Sequence, residues 1–250
     1  DVTTLIQFLQ LPENNLGVSS QPYMRYFSVT NYFKVFYPSN EAGASHPAPA
    51  GDGTQVDNNL GCTYGASSAR ILTCARSRVL LLGSYAPPDA ANSLYIVLVN
   101  DAMFGGTGGS GVCSVYTGDR MAVVFIHEVG HASSALADEY SYGTTENNRV
   151  VLPNCYWSNA DPPWSNWILA GILPNPSPVC TYDNYFKPTP AACLMESDQP
   201  SMCPVCTAAV LRLNYEAGLN LAAPRYPGQY EELILVNGES MVLRINNRLP

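Results

Sequence analysis

The chain has 250 residues, of which 46% are hydrophobic and only 13% charged, with a net charge of −8. That length supplies core enough for one domain with a small appendage. The negative balance and the lack of a basic stripe exclude nucleic acid as the expected partner, and no apolar run approaches the length of a membrane span.

Taken in chain order, residues 23–38 are rich in Tyr, Phe and Val and predict a strand. Residues 39–61 are rich in Pro, Gly, Ala and Asn and predict a surface loop. A helix is expected over 67–76 with Ser67 or Ser68 as its cap, and buried strands over 79–84 and 94–100. The glycine run 105–111 lacks the Gly-Lys-Ser/Thr ending of a phosphate loop. It reads either as a close-approach loop bordering a cleft, letting a peptide backbone pair with an exposed edge, or as a plain flexible loop. An apolar helix is predicted over about 118–133. Residues 141–200 form a Pro-, Asn- and Trp-rich stretch whose length points to a functional or cross-linked region, the lower wall of a cleft. A helix over 204–219 follows. A hairpin of residues 232–236 and 241–245 then turns at Asn237-Gly238. Strands alternating with helices predict a layered α/β (α+β) arrangement, with residues 1–220 as the main domain and 221–250 as a β-hairpin extension.

The chemistry concentrates at His127-Glu128-Val129-Gly130-His131, an H-E-x-x-H that follows the apolar run 121–126. On a helix, His127 and His131 stand one turn apart on one face, so both imidazoles can reach a single zinc ion. Glu128 is rotated about 100° from His127, which sets its carboxylate beside the ion as a base for water. A catalytic zinc takes a third protein ligand and keeps one position open. The third histidine, His46, lies far upstream in a Pro/Ala loop, so the acidic pair Asp138-Glu139 offers the better donor. Were the helix to continue, Asp138 would lie roughly 10 Å further along its axis than His131. The helix is therefore expected to end soon after His131, aided by Ser133-Ser134, and the chain to double back. Asp138 is the preferred ligand. Glu139 is the alternative, and both acids could instead hydrogen-bond the ligand histidines.

Eight cysteines, an even number, suit an oxidising compartment and disulfides. Cys62 with Cys74 and Cys155 with Cys180 are plausible local pairs. The alternative for Cys193, Cys203 and Cys206 is a structural zinc completed by one more ligand. The chain starts at Asp1 rather than Met, which suits removal of a signal peptide, and it holds no permitted N-glycan acceptor. Met195 sits in a turn-like context or fills a core gap. Trp157, Trp164 and Trp167 read as core residues. Tyr185 reads as a packing residue, with oxyanion donation as the lesser alternative.

Together these pieces resemble the IgA-peptidase-like zinc metallopeptidases, over roughly residues 23–217. The resemblance is carried by the strand Tyr95-Ile96-Val97-Leu98-Val99-Asn100 and by Phe104-Gly105-Gly106-Thr107-Gly108. It continues in the H-E-x-x-H with Leu136-Ala137-Asp138-Glu139-Tyr140, in Pro153-Asn154 with Trp164 and Trp167, and in Cys193-Leu194-Met195 with Cys203-Pro204-Val205-Cys206. It implies a metzincin-like fold, with a mixed sheet, an active-site helix, a disulfide-linked lower part and a C-terminal helix plus hairpin. It also implies a secreted zinc endopeptidase acting on protein or peptide substrates, without membrane or nucleic-acid partners, and expected to be a monomer. His127, His131 and Asp138 would be its zinc ligands and Glu128 its general base. Where the family often carries Gly before Leu-Ala-Asp-Glu-Tyr, this chain has Ala135, so its reversal must form without glycine's freedom. Cleavage of immunoglobulin A in particular is not implied. An inactive scaffold that only binds, and a zinc esterase or amidase of small molecules, are the rival readings.

Overall fold

The computed structural model describes residues 2–10, 17–24, 30, 32–86, 93–197, 199–219, 230–233 and 242–245; for 213–219 and the last two segments only the backbone is described. The chain divides into two compact units, Asp1–Ala135 and Leu136–Pro250. Among the described residues no helix is long and apolar enough to cross a membrane.

The first unit is built on a three-stranded mixed sheet. Strand β3 (Tyr95–Val99) runs parallel to β5 (Val112–Tyr116), and β4 (Gly106–Gly109) lies antiparallel on the other side of β5. Helix α3 (Met121–Ser134) packs across β4 and β5. Its residues Met121, Ala122, Val124, Phe125, Ile126 and Val129 are buried, so it is held on almost every side. Helix α1 (Val2–Gln10) adds Leu5, Phe8 and Leu9 to this core, and Phe8 meets Phe125 edge to face at 6.4 Å. A small ribbon, β1 (Thr63–Tyr64) with β2 (Leu72–Thr73), and helix α2 (Arg76–Gly83) complete the unit.

Three sequence expectations for this unit are corrected. The span 79–84, expected as a strand, lies largely within α2, because a short Leu run serves a helix as well as a strand and Leu81 is turned 63% to solvent. The helix expected over 67–76 is absent; bends, turns and β2 occupy that stretch. Of residues 23–38, Tyr23 and Met24 form a 3₁₀ turn and 32–38 are irregular, with Phe36 79% exposed. Strand-forming residues without a neighbouring strand to pair with make no sheet. Residues 25–29 and 31 lie outside the described residues.

The second unit contains a short helix α4 (Ser165–Leu169), a hairpin of β6 (Ser177–Cys180) and β7 (Tyr182–Lys187), and helix α5 (Pro204–Leu219). Strands β8 (Tyr230–Leu233) and β9 (Val242–Ile245) pair antiparallel, as the predicted hairpin requires, and its Asn237-Gly238 turn lies outside the described residues. The expected disulfides Cys62–Cys74 and Cys155–Cys180 are present. The disulfide reading fails for Cys113, Cys193, Cys203 and Cys206, which are buried free thiols. Cys155, Cys180, Ala137 and the fully buried Tyr185 form one apolar cluster, so Tyr185 packs as expected. Trp164 is buried, while Trp157 is only partly covered and stacks on Tyr156 at 3.8 Å.

Candidate active site

His127, Glu128 and His131 are half-buried, as are Val123 and Ser133, and together they form the accessible face of α3, whose other residues are buried. The i,i+4 spacing brings the two imidazoles together, with their Nε2 atoms 3.0 Å apart and their rings at 80°. Two nitrogens bound to one tetrahedral zinc at 2.0–2.1 Å would stand roughly 3.3 Å apart. The pair therefore fits two ligands of one ion.

The glycine run explains how Glu128 is seated. Rather than a loop, residues 106–109 of the run form a regular strand, β4, in direct contact with α3. A Cβ on Gly108 would fall 1.9 Å from the main-chain oxygen of Glu128, and one on Gly106 would fall 2.9 Å from its carboxylate oxygen. Only a bare backbone lets the sheet approach the helix this closely. The outer edge of β4 is partly engaged: Gly106 N–H donates to the Arg70 carbonyl at 3.1 Å and Thr107 Oγ1 to the Leu72 carbonyl at 2.6 Å. Under the helix, burial and then the Glu128 carboxylate push the Cys113 thiol far up, which keeps it protonated.

Helix α3 ends at Ser134, three residues after His131. Ser133 Oγ donates back to the Val129 carbonyl at 2.7 Å. Ala135 then takes the left-handed conformation at φ 50°, ψ 29°, and its N–H caps the carbonyl of His131. The helix thus closes on a left-handed residue without glycine, which imposes backbone strain of roughly 1–2 kcal/mol on an alanine.

Beyond the cap, the segment 136–140 of the second unit is irregular, yet its polar backbone groups are closely tied. Asn154, fully buried, accepts from Ala137 N–H and donates to Ala137 C=O, both at 2.8 Å. Thr181 Oγ1 donates to Asp138 C=O at 2.6 Å, and Thr181 N–H to Tyr140 C=O at 3.0 Å. Glu139 N–H donates to the carbonyl of Met195 at 2.8 Å. Met195 is fully buried in a tight turn, in which Glu196 N–H returns to Cys193 C=O at 2.9 Å. The two acids part company on this segment. The buried Asp138 carboxylate accepts a hydrogen bond from the Tyr142 hydroxyl. Glu139 turns instead to Asn154 Nδ2 at 3.1 Å and to the thiols of Cys206 and Cys203 at 3.0 and 3.6 Å. Burial, reinforced by the charge of Cys193, pushes its carboxyl up to about 8.

His46 is engaged elsewhere in the first unit: its Nε2 lies 2.9 Å from Asp101 Oδ2 and its ring meets that of Tyr64 edge to face at 5.0 Å. Sequence reasoning missed the clamping role of Asn154, the thiol neighbours of Glu139 and the hydroxyl of Tyr142. Only Asn154 carried a signal, through its place in the family resemblance.

A sequence profile of the family described as IgA Peptidase M64 matches residues 14–178, well over half of the chain. No curated protein matches.

Proposed function

This chain belongs to the IgA peptidase M64 family, and from that premise we propose that it is a secreted, zinc-dependent endopeptidase of metzincin-like build. The family makes it a metallopeptidase, a hydrolase of peptide bonds that works with a metal ion. The finer reading rests above all on the His127 and His131 Nε2 atoms, 3.0 Å apart on the accessible face of α3 with Glu128 between them in sequence. We assign zinc to His127, His131 and Asp138, the two-imidazole, one-carboxylate donor set that the H-E-x-x-H and Leu-Ala-Asp-Glu-Tyr motifs supply, which is typical of catalytic zinc. The fixed backbone of residues 137–140 supports Asp138 as the third donor, and the turn of Glu139 toward the cysteines removes its competitor. The buried Met195 turn supports the metzincin-like reading, and the two disulfides suit secretion.

The chemistry that such an ion supplies when bound is Lewis-acid polarisation of a peptide carbonyl and acidification of water. The protein supplies the rest. The Glu128 carboxylate takes the proton of the attacking water and delivers it to the leaving amine. Gly106 lets β4 lie close against that side chain, since a Cβ there would fall 2.9 Å from Glu128 Oε1 and 2.6 Å from Val124 Cγ1. Tyr142, donating to Asp138, disperses part of the carboxylate charge and fixes its orientation.

The test is one experiment with two arms. The protein is incubated with a mixture of unfolded proteins, and the products are sequenced by mass spectrometry. Chelation should abolish cleavage, with zinc restoring it. Glu128→Gln should keep the metal but lose about 10²–10⁴-fold in rate. Chelator-insensitive cleavage, or full activity of the glutamine variant, would refute the reading.

A further inference from the structure

A second cluster of metal-type donors lies wholly in the second unit. We propose that Cys193, Cys203, Cys206 and Glu139 bind a single structural zinc ion, distinct from the one assigned to the histidines. The donor atoms of these four buried residues all lie within 4.8 Å of one another. The sulfurs of Cys193 and Cys206 are 3.9 Å apart, and Glu139 Oε1 is 3.6 Å from Cys203 Sγ and 3.0 Å from Cys206 Sγ. Tetrahedral zinc with Zn–S near 2.3 Å and Zn–O near 2.1 Å would set sulfurs roughly 3.8 Å apart and sulfur from oxygen roughly 3.6 Å. Two of the three separations match and the third is shorter.

The chemistry of the cluster asks for a cation. Three thiols cannot all pair, so a disulfide here always leaves one buried thiol over. The same chain does close Cys62–Cys74 and Cys155–Cys180, yet leaves these three free. Glu139 is 1% exposed, and among the described residues its Oε2 has no hydrogen-bond partner. A buried carboxylate oxygen without a partner is expensive, and an ion would satisfy it while releasing the protons of the thiols. Further contacts suit deprotonated sulfur. Cys203 and Met195 N–H groups point at Cys193 Sγ at 3.1 and 3.5 Å. Cys203 precedes α5 and Cys206 lies in its first turn, where the helix dipole favours a thiolate. Asn154 orients Glu139 as an outer partner of a ligand does.

Soft sulfur donors in a four-coordinate set select zinc over magnesium or calcium. All four donors come from the protein and all are buried, so no position is left for substrate and the site is structural. One ion there would bind residue 139, the Met195 turn and the start of α5 to one another.

The test measures metal rather than activity. In the His127→Ala/His131→Ala double variant, elemental analysis and native mass spectrometry should still find one zinc per chain. Cobalt substitution of that variant should show thiolate-to-metal charge-transfer absorption, lost on adding Cys203→Ser and Cys206→Ser. Should the combined variant not fold, a thiol-specific mercurial applied to the wild-type protein decides: it should release one zinc per chain, with a second released only by chelation. A folded histidine variant without metal, a cobalt spectrum lacking thiolate bands, a mercurial that frees no zinc, or a disulfide among the three cysteines would each overturn the proposal. A failure of the histidine assignment alone would leave the thiolate signals intact.

Discussion

The accessible face of α3 and the Cys193–Cys203–Cys206–Glu139 cluster both gather metal-type donors, but they are built in opposite ways. The first relies on helix periodicity: two imidazoles one turn apart, half-buried, on a helix held by its apolar faces. The second relies on a turn, a loop and a helix start, with every donor buried and tied by backbone hydrogen bonds. An open face suits reaction with something that arrives from solvent, whereas a closed cluster suits cross-linking. Donor identity alone would not separate these two uses; exposure does.

The sharpest way to break the helix side is Gly108→Ala. Its Cβ would overlap the main chain of α3 at Glu128, so we expect destabilisation of about 3 kcal/mol or more by chemical denaturation, together with loss of activity. Asn154→Ala attacks the loop side. It strips the partners from Ala137 N–H and C=O and from Glu139, with an expected loss of about 2–3 kcal/mol and weaker metal retention. Ala135→Gly sharpens the comparison at the helix end. It relieves a left-handed alanine and should raise stability by about 1 kcal/mol, with metal content unchanged.

The smallest effect is expected at Asp101, which binds His46 and neither donor set. Burial raises its pKa, but N–H donors from Met103 and Ala44, together with His46, outweigh burial and hold it below the ordinary value. A lowered carboxyl pKa stabilises the fold above the unfolded value, and that gain disappears as pH falls through the folded one. Asp101→Asn should therefore flatten the loss of stability below about pH 4, measured by thermal melts across pH, while metal binding at neutral pH stays intact.

What could be read from the sequence followed from periodicity and spacing. Helix α3, its end after His131, strand β3, helix α5 and the two local disulfides all rest on short-range patterns of 3.6, 2 or a dozen residues. What could not be read rests on partners distant in sequence. The run Val79-Leu80-Leu81-Leu82 has no period long enough to tell helix from strand. The hairpin β6–β7 turns at Thr181 and is irregular at Val179, both with positive φ and neither a residue usual there. Helix α1 shows its apolar stripe at Leu5, Phe8 and Leu9, a spacing present in the sequence but too short to be persuasive without Phe125 opposite. The glycine run was ambiguous because closeness of backbones is a property of the neighbour as much as of the glycines. Asp138 and Glu139 were indistinguishable by type, and what parts them is the set of thiols that gathers around one and not the other.

Strand β4 also bears on how far this enzyme can be hardened against heat. Three of its four residues are glycine, and each gives up more freedom on folding than alanine would, roughly 0.5–1 kcal/mol apiece. The usual remedy, replacing glycine with alanine, is barred at Gly106 and Gly108 by the helix beneath them. Gly109 has open space around the added carbon and no left-handed backbone. Thermostabilisation of this strand thus has a single permitted entry point, and the remaining entropy deficit is inseparable from the seat it provides for Glu128.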